Sequence, residues 1–455
     1  MRLSWLLVML VSSAAADPFM VFDRALPSPA AELRPAAVCD AAAPSGLLTL
    51  ARAVERALCA NPDTRSAWLT ARLRAAELGQ ATSAYLPELS LSGSLARDGG
   101  QLLPNDYTAW QLGLDAQYLL LDFGGRAAQR DAAEALLAAA RASHDASVRV
   151  LYLQTVTAYF NLLTAQGAVA AAHQAETSAL AALKAAAARV AAGTGIPVDR
   201  LQAKTVYTQR QIERIRAEGE AARLQGELAA LMGDASQTGF RVVEQEAAFS
   251  QMPSLATVDA LIEAARTRRP ELRAAEATLL AREADVRSAR ADGKPRLSAF
   301  FDARRQDSGS LAATSSSLGV SLTVPLFTGY RNTYQIAAAQ TQVELAAVER
   351  DRVGNQVALD VWRAYYRLQS ETEADSRSGD LVESAAAAEK LTLGRYQAGL
   401  GILLDVLTAQ ANLAQARQTQ LQTRLGLRVV RAELAQAIGE LSWDWMEAAR
   451  QEGIR

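Results

Sequence analysis

The octapeptide Arg189-Val-Ala-Ala-Gly193-Thr-Gly195-Ile196 recurs 206 residues later as Arg395-Tyr-Gln-Ala-Gly399-Leu-Gly401-Ile402. Each copy follows a long helical pattern without proline, 126–192 or 331–398, and precedes another helical pattern. Glycine commonly ends a helix at the position just past its last turn, so each octapeptide predicts a tight turn between two helices. Two similar turns at a fixed spacing indicate an internal duplication, which constrains the architecture more than local propensity does.

The duplication extends over almost the whole chain. At a shift of 208 residues, prolines of the first half fall on prolines of the second, and farther along the shift becomes 206. The aligned pairs are Pro62 with Pro270, Pro87 with Pro295, Tyr159 with Tyr365 and Asp199 with Asp405. We therefore predict two repeats, 48–250 and 251–439, after an extended N-terminal arm at 17–47 and before a C-terminal tail at 440–455.

Within each repeat the hydrophobic period changes from 3.6 to 2. Leu89, Leu91 and Leu95 alternate with smaller polar residues, which predicts a strand with one apolar and one polar face. Alternation in three other segments gives two strands per repeat, at about 88–97, 108–120, 296–305 and 316–326. The remaining predicted segments are long helices at about 126–192 and 331–398, turns at 193–197 and 399–402, and helices at about 198–232 and 403–438.

The first sixteen residues predict export. Arg2 provides a positively charged N-terminal region, an apolar run follows, and Ala14-Ala15-Ala16 forms a small-residue cleavage site. We therefore predict that residues 1–16 are a signal peptide. The alternative, an N-terminal membrane anchor, requires an apolar run of about 20 residues. Apolar runs of that length are missing from the rest of the sequence as well. If this chain crosses a membrane, we expect it to do so by strands.

Export also changes the interpretation of the two cysteines. In an oxidising compartment a cysteine pair is normally bonded, so we predict a Cys39–Cys59 disulfide that ties the N-terminal arm to the first helix. Two buried free thiols are the alternative. The net charge of −2 gives no basic excess for nucleic acid. The two histidines, His144 and His173, lie too far apart in the sequence to suggest a metal or catalytic site, so we expect no metal, no cofactor and no enzymatic activity.

Amphipathic strands of about ten residues are long enough to cross a bilayer when tilted. Four strands cannot close a barrel, since small barrels need about eight and an open edge in lipid leaves backbone groups unpaired. Three copies of the chain would supply twelve strands. We therefore predict a mainly α protein with a β-barrel portion, shared among the subunits of a homotrimer. A soluble β-sandwich is the alternative, although the helix of roughly 100 Å predicted at 126–192 has no role in one.

Several motifs in this order resemble the TolC family of outer-membrane channel-tunnels, over about residues 48–439. They are Ala57-Leu58 with Asn61-Pro62, the junction Tyr85-Leu86-Pro87-Glu88-Leu89-Ser90, and the pair Leu121-Asp122-Phe123-Gly124-Gly125-Arg126 and Pro325-Leu326-Phe327-Thr328-Gly329-Tyr330-Arg331. The stretch from Ala57 to Trp68 is similar to the branch that serves type I secretion of adenylate-cyclase-haemolysin-like toxins.

The resemblance implies a twelve-stranded barrel in the outer membrane and a coiled-coil α-barrel tunnel that extends into the periplasm. It also implies partners: a periplasmic adaptor (membrane fusion protein) at the tips and, through it, an inner-membrane ABC transporter or pump. The tip residues that match the adaptor-contacting positions are Gly193, Thr194, Gly195, Gly399, Leu400 and Gly401.

At the periplasmic aperture, the family's carboxylate ring matches Asp405 and its latch matches Tyr396 and Asp199. The family's second carboxylate position holds Thr408, and the latch arginine position holds Gly401, so we expect a weaker ring and no ion-paired latch. For Asp199 and Asp405 the simpler alternative is a helix-capping role, because both fall in the first turn of a predicted helix.

The predicted function is export of a protein toxin through an outer-membrane channel-tunnel. Efflux of small molecules by the same kind of channel is the alternative. A soluble periplasmic adaptor would explain the signal and the helices but leaves the four strands unexplained. A secreted hydrolase would require a nucleophile and a base in a recognisable setting.

Overall fold

The structure, a computed structural model, describes residues 19–21, 46–98, 107–233, 239–243, 257–307 and 312–441. The predicted signal peptide, most of the N-terminal arm and the tail after residue 441 lie outside the described residues. None of the helices in the described ranges is long and apolar enough to cross a membrane.

The two halves of the chain contain the same helices in the same order. Helices α1 to α4 have 11, 22, 67 and 35 residues, and helices α5 to α8 have the same four lengths in turn. The helices are α1 Leu50–Ala60, α2 Pro62–Ser83, α3 Gly125–Ala191, α4 Pro197–Leu231, α5 Val258–Arg268, α6 Pro270–Ala291, α7 Arg331–Gln397 and α8 Leu403–Ala437. The strands are β1 Gly46–Leu48, β2 Glu88–Asp98, β3 Tyr107–Leu121, β4 Phe240–Val242, β5 Arg296–Asp307 and β6 Ala312–Thr323.

Helices α2 and α6 begin at Pro62 and Pro270, because proline fits the first helical turn, where its missing N–H is not needed. One strand differs from its predicted bounds by more than two residues. Strand β6 runs from Ala312 to Thr323 instead of 316–326. Its start follows from full pairing with β5 up to Asp307. Its end precedes Pro325, which cannot donate to a sheet ladder.

The chain divides into two compact units. The first unit comprises Met1–Ser28, Trp68–Ser143 and Glu271–Val353, and the second comprises Pro29–Ala67, His144–Pro270 and Gly354–Arg455. The first unit contains a four-stranded sheet in the order β2-β3-β5-β6, antiparallel throughout. Strands β3 and β5 are the central pair, so the two halves of the chain meet in the middle of the sheet.

The sheet has one polar and one apolar face. Across the four strands, Ser90, Asp115, Asp302 and Ser317 lie directly opposite one another on the polar face. One residue along, Leu89, Ala116, Phe301 and Leu318 form a row of the apolar face. The large apolar side chains are exposed in the chain itself, up to 81% for Leu318 and 76% for Leu95.

The second unit has a helical core around the middle of α3. Tyr152, Tyr159 and Phe160 are fully buried, and the Tyr159 and Phe160 rings meet edge to face at 5.8 Å. The Tyr159 hydroxyl donates to the carbonyl of Leu48 (2.9 Å) or Val243 (2.6 Å) and accepts from the Val243 amide (3.2 Å). It thereby fixes the parallel pair β1·β4, which the sequence did not predict.

Candidate functional site: the paired helix tips

The first tip is the turn that joins α3 to α4, within the second unit. Gly193 has φ +69°, a conformation that residues with a Cβ rarely adopt. The amides of Thr194 and Gly195 both donate to the carbonyl of Arg189 at 3.0 Å, which satisfies a carbonyl that the end of α3 leaves open. A Cβ on Gly195 would lie 3.0 Å from Cβ of Arg189, so this glycine permits a close approach of the backbone.

The second tip, between α7 and α8, repeats this geometry. Gly399 has φ +76°, and the Leu400 amide donates to the carbonyl of Arg395 at 2.9 Å. A Cβ on Gly401 would lie 3.3 Å from the Tyr396 nitrogen. Both long helices therefore end in the same way. Each is followed by a left-handed glycine, and the amides of the turn donate to carbonyls that lie three to six residues earlier in the chain.

Arg189 connects the two tips. Its guanidinium donates from Nη1 to the Tyr396 carbonyl at 3.1 Å, and its Cζ lies 4.7 Å from the centre of the Tyr396 ring. The Tyr396 carbonyl also accepts from the amide of Gly399 at 3.0 Å. One side chain of the first half is thus bound to the backbone and the aromatic ring that end α7 in the second half. We call this contact the Arg189 bridge.

An apolar cluster lies beneath the bridge. Its buried members come from α3, α4, α7 and α8, so the ends of all four helices share one core. They are Ala182, Ala186, Ala203, Tyr396, Leu403, Val406 and Leu407. The alanines of α3 and α4 leave room for the Tyr396 ring, which is only 4% exposed.

Tyr396, one of the two predicted latch residues, lies inside the apolar cluster of the tips. Tyr396 is buried, and its hydroxyl has no hydrogen-bond partner among the described residues. The tyrosine ring contacts Arg189, which the sequence comparison did not single out as a site residue. Arg395, which is aligned with Arg189 in the second repeat, is exposed. The alignment of the two arginines therefore did not show that only Arg189 forms a bridge.

The two tip carboxylates occupy equivalent positions. Asp199 lies in the first turn of α4 and is half-buried, whereas Asp405 lies in the first turn of α8 and is exposed. Ile196 and Ile402, the residues before these helices, form no side-chain cap. A carboxylate in the first turn is favourable there because the helix N-terminus carries a partial positive charge.

Exposed apolar side chains surround the tip glycines. They are Ile196 (60%), Val198 (54%), Leu400 (74%), Ile402 (61%) and Leu404 (57%). Gly193, Thr194 and Gly399 are exposed with them, whereas Gly195 and Gly401 are half-buried. Apolar residues grouped at an exposed turn favour a binding surface over a purely structural role.

One of the two cysteines, Cys59, lies within the described residues. Cys59 lies near the end of α1 and is disulfide-bonded. Cys39 lies outside the described residues, so the predicted pairing of Cys39 with Cys59 stays a prediction. In the described ranges there is no group of histidine, cysteine and acidic side chains that could hold a metal ion.

Comparison with known proteins assigns the family. Two regions, residues 53–234 and 261–440, match the family described as outer membrane efflux protein, and together they make up well over half of the chain. The chain belongs to the outer membrane efflux protein family. The predicted resemblance is confirmed, and as a family member the protein is located in the outer membrane and extends into the periplasm. A soluble adaptor and a secreted hydrolase do not fit this assignment.

Individual relatives cover most of the chain. Protein CyaE of Bordetella pertussis is 29% identical over 401 residues, which are 87% of this chain and 84% of CyaE. Pyoverdine export outer membrane protein OpmQ of Pseudomonas aeruginosa is 28% identical over 406 residues, with coverage of 85% and 84%. The crystal structure of the CmeC outer membrane channel of Campylobacter jejuni has the same fold, with a TM-score of 0.76 at 18% identity over 89% of this chain and 90% of that chain.

Proposed function

We propose that three copies of this efflux-family chain form one channel through the outer membrane, each contributing its four-stranded sheet to a twelve-stranded barrel. The exposed apolar face of the sheet carries the proposal. A soluble protein rarely exposes a contiguous apolar surface of this extent. The outer strands of the sheet, β2 and β6, have no further strand beside them among the described residues. In lipid such edges must be paired, and neighbouring copies would pair them.

In this proposal the polar face of the sheet lines the pore and the paired tips form its periplasmic aperture. Asp405 is exposed at the second tip, so a trimer would place three carboxylates around the axis. A ring of like charges in a narrow pore selects ions of opposite sign. The exposed apolar residues at the tips would receive a periplasmic adaptor, which connects the channel to an inner-membrane ABC transporter or pump.

The cargo that we propose is a secreted protein toxin, by the type I route. Support comes from the similarity to CyaE across most of both chains and from the stretch between Ala57 and Trp68. A second candidate is small-molecule efflux, which the comparable similarity to a pyoverdine export protein favours. The two cargo classes can be separated by expressing the chain in cells that lack their own outer-membrane component and measuring toxin secretion and compound efflux in parallel.

The channel proposal is tested by conductance of the purified protein in a planar bilayer. We expect a cation-selective pore whose reversal potential under a salt gradient moves toward zero in Asp405→Ala. Asp405→Glu is the matched control, because it keeps the charge and should keep the selectivity. A wild-type protein that forms no pore would refute the channel. A pore whose selectivity is the same in all three proteins would refute the role of Asp405.

A further inference from the structure

The apolar face of the sheet changes character at one end. In the central strand β5, Leu297, Ala299, Phe301 and Ala303 share this face, and the next residue on it is Arg305. The segment from Leu297 to Arg305 has nine residues, about the number that a tilted strand needs to cross the hydrocarbon of a bilayer. Arg305 therefore lies where an embedded strand would leave the hydrocarbon.

Arg305 lies at the hairpin end of the sheet. Strands β2 and β5 end here and strands β3 and β6 begin here, whereas α2, α3, α6 and α7 join the strands at the opposite end. Since the protein extends from the outer membrane into the periplasm, the hairpin end belongs to the external leaflet. An arginine on the lipid side at this depth needs an anionic partner or water.

The neighbouring side chains are those of an interfacial site. Trp110 lies on the adjacent strand β3, one row nearer the hairpins, and the Arg305 Cζ is 6.0 Å from the centre of its ring. Arg97 of β2 lies one row farther out on the same face. Asp307, the acidic residue on this face, already takes part in another interaction, as Arg97 does. Arg305 is exposed, with its planar guanidinium beside the indole.

We infer that Arg305, flanked by Trp110 and Arg97, binds a phosphate of the glycolipid in the external leaflet of the outer membrane. The inference rests on the proposed function, since it requires the sheet to be embedded in lipid. Charge complementarity carries the choice of ligand: the leaflet presents phosphates, guanidinium binds them in a bidentate manner, and tryptophan is enriched at membrane interfaces. The same strand supplies a matched control, because Arg304 is exposed on the opposite, polar face.

The experiment titrates the purified full-length protein in detergent with lipid A and counts bound lipid by native mass spectrometry. We expect Arg305→Gln to weaken lipid A binding about fivefold, the effect of one arginine near an anionic surface. Arg304→Gln should leave binding unchanged. Arg305→Lys keeps the charge but loses the bidentate geometry, so it should bind lipid A more weakly than the wild type and more tightly than Arg305→Gln. Dephosphorylated lipid A should bind the wild type at least about fivefold more weakly than lipid A does.

Three results would overturn the inference: equal losses in Arg305→Gln and Arg304→Gln, equal binding of lipid A with and without phosphate, or displacement of lipid A by inorganic pyrophosphate, which would indicate a site for free anions. Planar-bilayer recordings separate this outcome from failure of the channel. If the wild type forms pores while its lipid A affinity does not depend on Arg305, only the lipid site is refuted. If the wild type forms no pores, the proposed function is refuted and the lipid site with it.

Discussion

Removal of the Arg189 bridge should loosen the two tips without unfolding the protein. Arg189→Gln loses the hydrogen bond to the Tyr396 carbonyl and the contact with the Tyr396 ring. A charged donor contributes about 1.5–3 kcal/mol and a cation–π contact about 0.5–1 kcal/mol when it is not fully buried. The Tyr396 carbonyl keeps the amide of Gly399, so no acceptor is orphaned and we expect the lower end, about 1.5 kcal/mol.

Hydrogen–deuterium exchange of peptides that cover the tips measures this loosening. A change of about 1.5 kcal/mol in local opening makes exchange roughly tenfold faster at the tip amides, while amides in the core around Tyr152 stay protected. Arg395→Gln is the matched control. Arg395 is the aligned residue of the second repeat, is exposed and forms no side-chain hydrogen bond among the described residues, so exchange should not change.

Tyr396→Phe distinguishes the bridge from a latch through the tyrosine hydroxyl. That hydroxyl is buried without a partner in the described part of the chain, and a buried unsatisfied group costs about 1–3 kcal/mol. Its removal should leave exchange at the tips unchanged or slow it. Faster exchange in Tyr396→Phe, or equal effects of Arg189→Gln and Arg395→Gln, would refute the reasoning.

Three other predictions concern stability. Burial raises the pKa of Tyr159 to about 12 from an unfolded value of 10, so the folded state favours the neutral phenol. The stability that Tyr159 contributes below pH 10 should therefore fall by about 2–3 kcal/mol as the pH rises to 12. In Tyr159→Phe, chemical denaturation should show a smaller loss over that pH window. Gly399→Ala should cost about 1 kcal/mol because of the left-handed φ, whereas Gly394→Ala, in open space inside α7, should raise the melting temperature slightly. For the predicted Cys39–Cys59 disulfide, non-reducing peptide mapping should recover the two cysteines in one linked peptide, and separate peptides would refute the pairing. Cys59→Ser should lower the free energy of unfolding by about 3 kcal/mol under oxidising conditions only.

Regular patterns made the helices and most strands predictable. The alternation of Leu89, Leu91 and Leu95 located β2, because a strand with two different faces leaves a period of two in the sequence. The predicted bounds of strand β6 were shifted toward the C-terminus because its first residues, Ala312 to Ser317, are all small and do not alternate between apolar and polar. Its start is set by pairing with β5. The pair β1·β4 has three residues on each side and depends on Tyr159, a tertiary contact without a local pattern.

At the tips too, a local sequence signal was predictable and a tertiary contact was not. Gly193 and Gly399 were predictable because a left-handed residue after a helix favours glycine. The role of Arg189 was not predictable, since Arg395 occupies the aligned position of the second repeat. Only the packing of Tyr396 against the ends of α3 and α4 determines which arginine reaches across.

Accessibility of the sheet to lipid tests the central claim most directly. Single cysteines at Ser317, Leu318, Val320 and Ser321, spin-labelled in the reconstituted protein, report the collision rates of each site with oxygen and with a water-soluble nickel complex. We predict that Leu318 and Val320 are accessible to oxygen from the lipid, and that Ser317 and Ser321, on the opposite face of β6, are accessible to the nickel complex. Equal access of the nickel complex to all four positions would contradict it.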